Sequence, residues 1–289
     1  MVKKKSLIDI LVCPRCKKSL TYKKEAVFCR FCNLEYSIIH QIPVMIDARK
    51  FETSKENILK YYNLEASKYN ISHGSDLYGT EYNIKNNYLK VFKKYIKPKS
   101  NILEFGAGTG RFSKILKKMA NNFYITDLSL EMLLQNRDSS LGSVCADTEA
   151  LPFPDNFFDL CIGVAAFAYL PNKVKGIKEI RRVLKPGGRL LIIDMNRKSF
   201  IFKLTKLYYF RHRKFNYPSH INESNLVFLK KLFLKNGFTL DESGIFSWVP
   251  HALTKAVAFF FIILDRIFPH LPILKNQAMR LYITGHKKS

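Results

Sequence analysis

Short apolar runs alternate with longer helix-like stretches through the middle of the chain. Five runs have the length of buried strands, and they lie at residues 101–105, 122–127, 143–147, 158–164 and 189–194. Stretches of helical character separate them, the clearest at 111–120 and in the approach to residue 184. Alternation of buried strands with helices predicts a mostly parallel sheet that carries helices on both faces.

The regions on either side of this alternation differ from it in pattern. Residues 49–98 are polar and aromatic, with the spacing of helices. We therefore divide the chain into a module at 1–48, a helical extension or lid at 49–98 and an α/β domain at 99–289. The α/β domain is expected to carry two insertions, at 197–222 and 250–275.

Four cysteines near the start form the pattern C-x2-C-x12-C-x2-C, with ligands at Cys13, Cys16, Cys29 and Cys32. Each close pair turns the chain so that two thiolates face the same point, and two pairs supply the four sulfurs of a tetrahedral zinc site. Four cysteines close the coordination shell, so the zinc is expected to be structural, in a module too short to bury a sufficient core. A redox pair or chance clustering is the competing interpretation. Cys145 and Cys161 fall on predicted strands and are expected to be core residues.

Charge adds a prediction about partners. The chain has 48 basic and 23 acidic residues, and residues 195–289 contribute 16 basic against 4 acidic side chains. Such an excess of positive charge predicts an anionic binding partner: nucleic acid, an anionic membrane surface or a phosphorylated substrate. Residues 197–214 hold seven basic residues and no acid among aromatic residues, which suits an amphipathic helix on a membrane, an RNA contact or a substrate lid.

The sequence shows neither a secretory signal nor an apolar run of the roughly 18 residues that a spanning helix needs. The longest apolar run, at 256–264, predicts a buried helix or a hydrophobic flap over the substrate. Paired cysteines outside a secretory context favour a reducing compartment. The expected location is the cytoplasm, with peripheral membrane association as an open alternative.

A glycine loop follows the first predicted strand. Gly106, Gly108 and Gly110 allow a tight turn and close approach of a ligand to the backbone. Asp127 ends the second strand, where a carboxylate can accept hydrogen bonds from both hydroxyls of a ribose. Binding of a dinucleotide such as NAD is the competing interpretation of these residues.

Several motifs then occur in a characteristic order. They are E-F-G-A-G-T-G at 104–110, T-D at 126–127, C-A-D-T-E-A-L-P-F-P-D-N-F-F-D at 145–159 and V-L-K-P-G-G-R-L-L-I-I-D at 183–194. In this order they resemble the class I S-adenosylmethionine-dependent methyltransferases, and most of all the subgroup that acts on quinones, sterols and other small molecules. The resemblance covers about residues 100–194 and, more weakly, continues to 245. It implies a Rossmann-like sheet of seven strands with an antiparallel last strand.

The cysteine module, over about residues 6–47, resembles the small zinc-ribbon family that activates tRNA and protein methyltransferases. It also resembles the ribbon fused to the front of some methyltransferases. The two resemblances together imply two bound groups, S-adenosylmethionine and a structural Zn²⁺.

The methyltransferase resemblance also implies roles for ten positions. It places the methionine end near Glu104, Gly163 and Val164, the amino-acid and ribose parts near Gly106, Gly108, Gly110 and Asp127, and the adenine near Leu128, Asp147 and Thr148. Taken alone, Glu104 and Asp147 are equally well explained as helix-capping acids. Asp159 is expected to be a structural acid at the start of a strand.

A catalytic base is not evident in the sequence. After the fourth strand, where relatives often carry histidine, residues 165–170 read A-A-F-A-Y-L, and Tyr169 is the one polar side chain. Tyr62, Tyr69 and His73 are candidates, each also explicable as a packing or lid residue. Alignment alone can supply much of the rate of methyl transfer.

The expected function is therefore methyl transfer to a small, hydrophobic or lipid-linked acceptor, met at a membrane surface. An RNA methyltransferase, acting on ribosomal or transfer RNA, is the first alternative. A non-catalytic partner protein with a methyltransferase fold is the second.

Overall fold

The computed structural model describes residues 6–47, 51–70, 78–136, 142–200, 202–203, 225–250, 255–271, 274 and 276–288. The N-terminal module consists of a short helix and four strands: α1 Leu7–Ile10, β1 Thr21–Lys23, β2 Ala26–Cys29, β3 Leu34–Ile39 and β4 Ile42–Met45. The four strands pair in sequence order as an antiparallel meander. This is the predicted ribbon.

The α/β domain contributes seven more strands. They are β5 Asn101–Phe105, β6 Asn122–Asp127, β7 Gly142–Ala146, β8 Phe158–Val164, β9 Leu184–Met195, β10 Phe238–Phe246 and β11 Arg280–Lys287. Their order across the sheet is β7-β6-β5-β8-β9-β11-β10. The first five are parallel, and β11 is antiparallel to both of its neighbours, β9 and β10. The predicted fold class, a mostly parallel seven-stranded sheet with helices, is confirmed.

After the ribbon, the described α-helices are α2 Thr53–Glu65, α3 Tyr78–Asn83, α4 Leu89–Tyr95, α5 Ser113–Leu116, α6 Leu130–Leu134, α7 Lys173–Val183, α8 Leu226–Lys235 and α9 Lys255–Ile267. The first three belong to the helical extension and the others to the α/β domain. A π-helical turn, Ile84–Tyr88, joins α3 to α4. The helix predicted at 111–120 is shorter than expected, because after α5 the chain tightens into a 3₁₀ turn, Lys117–Met119, and Ala120 is extended.

The sheet buries apolar side chains on both faces, as the continuous apolar runs predict. Along β9, Leu190 and Ile192 pack into one core cluster, and Leu191 and Ile193 pack into the other. This alternation follows from the two-residue period of a strand. Cys145 and Cys161 are fully buried strand residues, and burial raises the pKa of both thiols. They are core residues, as expected.

The ribbon continues the main sheet instead of lying beside it. β4 pairs in parallel with the outer edge of β7, through Val44 opposite Cys145 and Met45 opposite Ala146. The two parts share one core cluster, in which Met45 is fully buried. An apolar strand at the end of the ribbon thus covers an edge of the parallel sheet that would otherwise expose unpaired backbone groups.

Three further contacts fix the ribbon, two to the loop after β7 and one to α7. The backbone N–H of Val12 donates to the carbonyl of Pro152 at 3.0 Å. The Lys17 ammonium donates to Glu179 on α7 at 2.7 Å and to the carbonyl of Leu151 at 3.3 Å. The position of this loop therefore depends on the ribbon.

Several sequence expectations lie partly or wholly outside the described residues. The boundary expected at residue 48 falls within 48–50, and His73 falls within 71–77. Most of the basic stretch at 197–214 lies within 204–224. Among the described residues, no helix is both long enough and apolar enough to cross a membrane.

Candidate active site and metal centre

A cleft opens at the carboxyl ends of the parallel strands, beside the point where the strand order reverses between β5 and β8. Open α/β sheets bind ligands at such switch points. The empty space in the cleft and its open mouth together amounts to about 940 Å³. Eight of the ten predicted residues line it: Glu104, Gly106, Gly108, Asp127, Leu128, Asp147, Thr148 and Val164.

The glycine loop after β5 forms the floor of the cleft. Gly106 and Gly108 have φ of +63° and +57°, a conformation that favours glycine. A side chain on Gly106 would meet Ala166 at 2.4 Å, whereas one on Gly108 would meet nothing within 4 Å. Gly108 thus leaves its backbone open to a ligand. Ala165, which also lines the cleft, has φ of +53°, and such strain in a residue with a Cβ clusters at functional sites.

Asp127 organises two loops at once. One carboxylate oxygen accepts from the Gly108 N–H at 2.8 Å, and the other accepts from the Ser129 N–H at 2.9 Å. Each carboxylate oxygen has a further lone pair. The carboxylate therefore fixes the glycine loop while it can still accept from ligand hydroxyls.

Glu104 lies at the base of the cleft and is 2% exposed. Burial raises the pKa of this carboxyl to about 8, although the Ser113 hydroxyl, which donates to it at 2.5 Å, and the charge of Arg111 act in the opposite direction. A buried acid that titrates near neutral pH is suited to pair with a cationic group of a ligand.

Asp147 follows β7 and meets a residue that the sequence analysis did not identify. The ammonium of Lys55, on α2, lies 2.6 Å from Asp147 and 2.9 Å from Glu149, and Lys55 is 5% exposed. The Asp147 carboxylate also accepts from the Glu149 N–H at 2.9 Å and so caps the short turn that follows. The helical extension therefore contributes directly to the cleft.

Gly110 and Gly163, the other two predicted residues, are not among the lining residues of the cleft. A side chain on Gly110 would overlap the amide of Asn136, and one on Gly163 would overlap the ring of Phe105. Close packing behind the loop and beneath the sheet accounts for both glycines, and their contact with the donor stays a prediction.

Tyrosines cover the side of the cleft next to Ala165. Tyr62 lies in edge contact with Tyr169, with ring centroids 5.8 Å apart, and Tyr69 lies 6.4 Å from Tyr62. Burial, together with the nearby Tyr169 and Tyr69, raises the pKa of Tyr62 well above its ordinary value. Tyr62 therefore keeps its proton at neutral pH and is suited to donate a hydrogen bond rather than to act as a base.

The four predicted metal ligands meet at one end of the ribbon. Their sulfur atoms all lie within 4.8 Å of one another, with Cys13 and Cys32 4.0 Å apart and Cys16 and Cys29 3.5 Å apart. A zinc ion with Zn–S bonds of about 2.3 Å requires S···S separations of about 3.8 Å. The four thiols fit a closed tetrahedral zinc site.

Local backbone and electrostatics support the same assignment. Lys17 and Asn33 directly follow the two cysteine pairs and have φ of +61° and +50°, which turns the chain back after each pair. Burial would raise the pKa of Cys16, but hydrogen bonds from the Lys18 backbone and neighbouring thiols lower it to about 7. The same set of thiols raises the pKa of Cys32 through its hydrogen bond with Cys16, and burial raises that of Cys29. Cys16 is therefore the thiol that ionises first, and the thiolate is the form that binds a metal.

Part of the chain is similar to known methyltransferases. Residues 103–192 match the family described as a methyltransferase domain. The ubiquinone/menaquinone biosynthesis C-methyltransferases UbiE of Burkholderia mallei and Burkholderia thailandensis are each 29% identical to the chain over 161 residues. Each match covers 51% of this chain and 65% of the length of the relative.

Solved structures share the fold at low identity. A chain from the complex of the Haloferax volcanii Trm112 methyltransferase activator with a methyltransferase has a TM-score of 0.56 at 15% identity, covering 79% of this chain and 98% of that one. Haemonchus contortus phosphoethanolamine N-methyltransferase 2, in complex with phosphomonomethylethanolamine and S-adenosylhomocysteine, has a TM-score of 0.54 at 16% identity (83% and 61%). The 4+2 cyclase SpnF has a TM-score of 0.58 at 17% identity (82% and 96%).

Residues 103–192 therefore match a methyltransferase domain, within an α/β fold that the chain shares with solved methyltransferases, and a four-cysteine ribbon that is compatible with zinc precedes it. Because a cyclase shares the same fold, the fold by itself does not define the reaction.

Proposed function

We propose that the protein transfers a methyl group from S-adenosylmethionine to a small hydrophobic acceptor. The observation that carries this proposal is one cleft that is lined both by the glycine loop with Asp127 and by tyrosine, alanine and leucine side chains. The first part suits a nucleoside with an amino-acid tail, and the second suits an apolar, planar or aliphatic molecule. The UbiE relatives, named for quinone methylation, favour the same acceptor class.

Different residues of the cleft bind different parts of S-adenosylmethionine. Asp127 accepts from the ribose hydroxyls, Glu104 pairs with the ammonium of the methionine part, and Asp147 with Thr148 borders the adenine. When bound, S-adenosylmethionine would supply a methyl group on a sulfonium. An electron pair of the ionised acceptor would form the new bond to the methyl carbon, and the pair of the broken S–CH₃ bond would stay on sulfur. Tyr62 and Tyr169 exclude water and align the acceptor, so that proximity supplies much of the rate.

This proposal is tested by incubation with S-adenosylmethionine that carries tritium in the methyl group and with separate lipid and RNA extracts. We expect label in the organic phase and none in RNA. Label in RNA alone would support the first alternative instead. S-Adenosylmethionine binding without transfer to either extract would favour a non-catalytic partner protein.

A membrane contact belongs to this proposal, because a lipid-linked acceptor must be met at a surface. On α9, Phe259, Ile263 and Ile267 follow one another at intervals of four residues and are 66%, 40% and 50% exposed in the described part of the structure. An apolar stripe on a helix of a strongly basic chain suits an anionic bilayer interface. Asp265, the acid on this helix, accepts hydrogen bonds from the backbone N–H of Trp248 and from the Tyr82 hydroxyl.

One observation favours the RNA alternative. A second cleft is lined by five basic side chains and a single carboxylate, namely Lys178, Arg181, Arg182, Lys235, Lys287 and Asp155. It lies at the amino end of β8, whereas the first cleft lies at the carboxyl end, about 20 Å away along a seven-residue strand. The basic side chains of the second cleft therefore do not line the cleft that holds the tyrosines, and we place RNA second.

Co-sedimentation with vesicles that contain anionic phospholipid, beside binding to total RNA at the same salt concentration, separates the two partners. The double change Phe259→Ser and Ile263→Ser should lower vesicle binding at least about tenfold, because apolar burial at the interface is lost. The matched control removes two exposed apolar side chains from α8, Val227→Ser with Leu234→Ser, and should bind like the parent. Tight RNA binding without vesicle binding would overturn the membrane contact.

Donor affinity should depend on pH through Glu104. The ammonium of S-adenosylhomocysteine favours ionised Glu104, and this carboxyl has a pKa of about 8 in the empty cleft. Below pH 8 binding must therefore expel a proton from Glu104. As the pH is lowered from 8 to 6, the affinity for S-adenosylhomocysteine should fall by up to about tenfold for each pH unit.

Calorimetry across this range measures the effect, with Glu104→Gln as the comparison. Burial also raises the pKa of Asp127, so part of the slope of affinity against pH comes from that carboxyl. The contribution of Glu104 is the difference between the slope of the parent and that of Glu104→Gln. Identical slopes in the parent and the variant would contradict this assignment.

A further inference from the structure

Lys55 is a buried cation held between two carboxylates at the edge of the donor cleft. Its side chain is 6% exposed, and those of Asp147 and Glu149 are 13% and 3% exposed. Lys55 and Asp147 line the cleft. A buried ammonium this close to two carboxylates stays protonated, and the carboxylates raise its pKa despite the opposing effect of burial. The positive charge of Lys55 thus compensates the negative charges of Asp147 and Glu149, which are separated by one residue in the sequence.

The two acids have fixed orientations. One oxygen of Asp147 accepts from the Glu149 N–H, which leaves its other oxygen to Lys55. Glu149 accepts from the Asn172 N–H at 2.8 Å through one oxygen and from Lys55 through the other, with the exposed Lys175 ammonium 4.0 Å away. Lys55 is therefore the closest cation to both acids among the described residues.

The helix that carries Lys55 is tied to the other loops of the cleft as well. The Ser129 hydroxyl, after β6, donates to Asn63 on α2 at 2.6 Å. The Thr109 hydroxyl, in the glycine loop, donates to Asn70 shortly after α2 at 2.6 Å. Together with Lys55, these bonds join the helical extension to the loops that follow β5, β6 and β7, which are the three loops that surround a bound nucleoside in the proposed function.

We propose that Lys55 is a positioning residue for donor binding, which holds the Asp147 carboxylate in the direction of the adenine and makes α2 part of the donor site. This inference rests on the proposed function, because it takes the adenine of S-adenosylmethionine as the group that Asp147 faces. The competing role for Lys55 is purely structural, as a fastening between α2 and the α/β domain.

Loss of the ammonium would leave two carboxylates at short range in a buried setting. Removal of one partner of a buried ion pair leaves charge uncompensated, and like charges at this distance disfavour the ionised pair. Asp147 would then turn away from Glu149 or take up a proton. Either change alters the group that the adenine meets, so the effect reaches ligand binding as well as folding.

The test compares calorimetric affinities of the full chain and of Lys55→Met for two ligands, S-adenosylhomocysteine and 5′-methylthioadenosine. The second ligand retains the nucleoside and lacks the amino-acid tail. We expect Lys55→Met to weaken both at least tenfold, and Lys55→Arg to recover most of the loss. Lys85→Met, which removes one partner of an exposed ion pair with Glu81, is the matched control and should change neither affinity.

A double-mutant cycle identifies the path of the effect. If Lys55 acts through Asp147, the combination of Lys55→Met with Asp147→Asn should bind no more weakly than the worse of the two single variants. Should Lys55→Met fail to fold, Lys55→Gln keeps a hydrogen-bond donor and takes its place. A lowered melting temperature with both affinities within twofold of the parent, or strictly additive losses in the cycle, would overturn the inference. A parent chain that binds neither ligand would overturn the proposed function itself, and the inference with it.

Discussion

Replacement of Asp127 by alanine should lower the affinity for S-adenosylhomocysteine about 100-fold or more. The change removes the acceptor for two ribose hydroxyls, and hydrogen bonds to a charged group contribute about 1.5–3 kcal/mol each. It also releases the N–H groups of Gly108 and Ser129, which the carboxylate holds at 2.8 and 2.9 Å. The floor of the cleft and the loop after β6 then lose their common anchor. Isothermal titration calorimetry measures the result.

A matched control lies at the amino ends of the parallel strands, away from the cleft. Asp159 is a half-exposed acid near the start of β8, where it accepts from the Asn101 N–H and from Lys185. Asp159→Ala should lower stability modestly and leave ligand affinity within about twofold. Equal losses of affinity in the two variants would mean that Asp127 acts through general destabilisation, contrary to the site described above.

Loss of the four-cysteine site should unfold the ribbon and lower the melting temperature of the chain by about 10 °C or more. Structural zinc contributes apparent free energies of about 10–16 kcal/mol in isolated zinc-finger peptides, and about 1 kcal/mol shifts the melting temperature of a domain this size by about 2–4 °C. The effect should extend beyond the ribbon, because β4 covers the edge of β7 and Met45 belongs to the shared core. Cys16→Ser with Cys29→Ser is the variant to measure by calorimetry.

Elemental analysis provides the matching readout. The parent should contain one zinc per chain, and the double variant should contain none. Cys161→Ala, which alters a fully buried cysteine on β8, should retain one zinc. Zinc-free protein with an unchanged melting temperature would contradict a structural metal site.

The parts of the molecule that were predicted from sequence are those determined by local pattern. Apolar runs of strand length give β5 to β9, because such runs are buried on both faces in a parallel sheet. Gly106, Gly108 and Asp127 stand at strand ends, and the carboxyl ends of parallel strands meet at one edge. The four cysteines are brought together by two short turns, so their spacing alone was sufficient.

The parts that were missed depend on contacts between distant segments. Lys55 lies 92 positions before Asp147, and nothing in the polar stretch at 49–98 distinguishes it from the other lysines there. A pair of acids separated by one residue, Asp147 and Glu149, is the one signal that a buried cation was needed. The pairing of β4 with β7 was likewise missed, since a four-residue apolar strand does not indicate its partner.

Gly110 and Gly163 illustrate a different limit. Their positions in the motifs implied contact with the donor, which stays a prediction, and each glycine also has a side chain packed against it, Asn136 or Phe105. A motif records that a side chain is not tolerated at a position, and either a ligand or a neighbouring residue can be the reason.

The central claim, that the cleft binds S-adenosylmethionine, is tested most directly by titration of the full chain with S-adenosylhomocysteine and, separately, with NAD⁺. We predict binding of S-adenosylhomocysteine with one site per chain, competition by S-adenosylmethionine and no measurable heat from NAD⁺. Binding of NAD⁺ without binding of S-adenosylhomocysteine would contradict the assignment of the cleft.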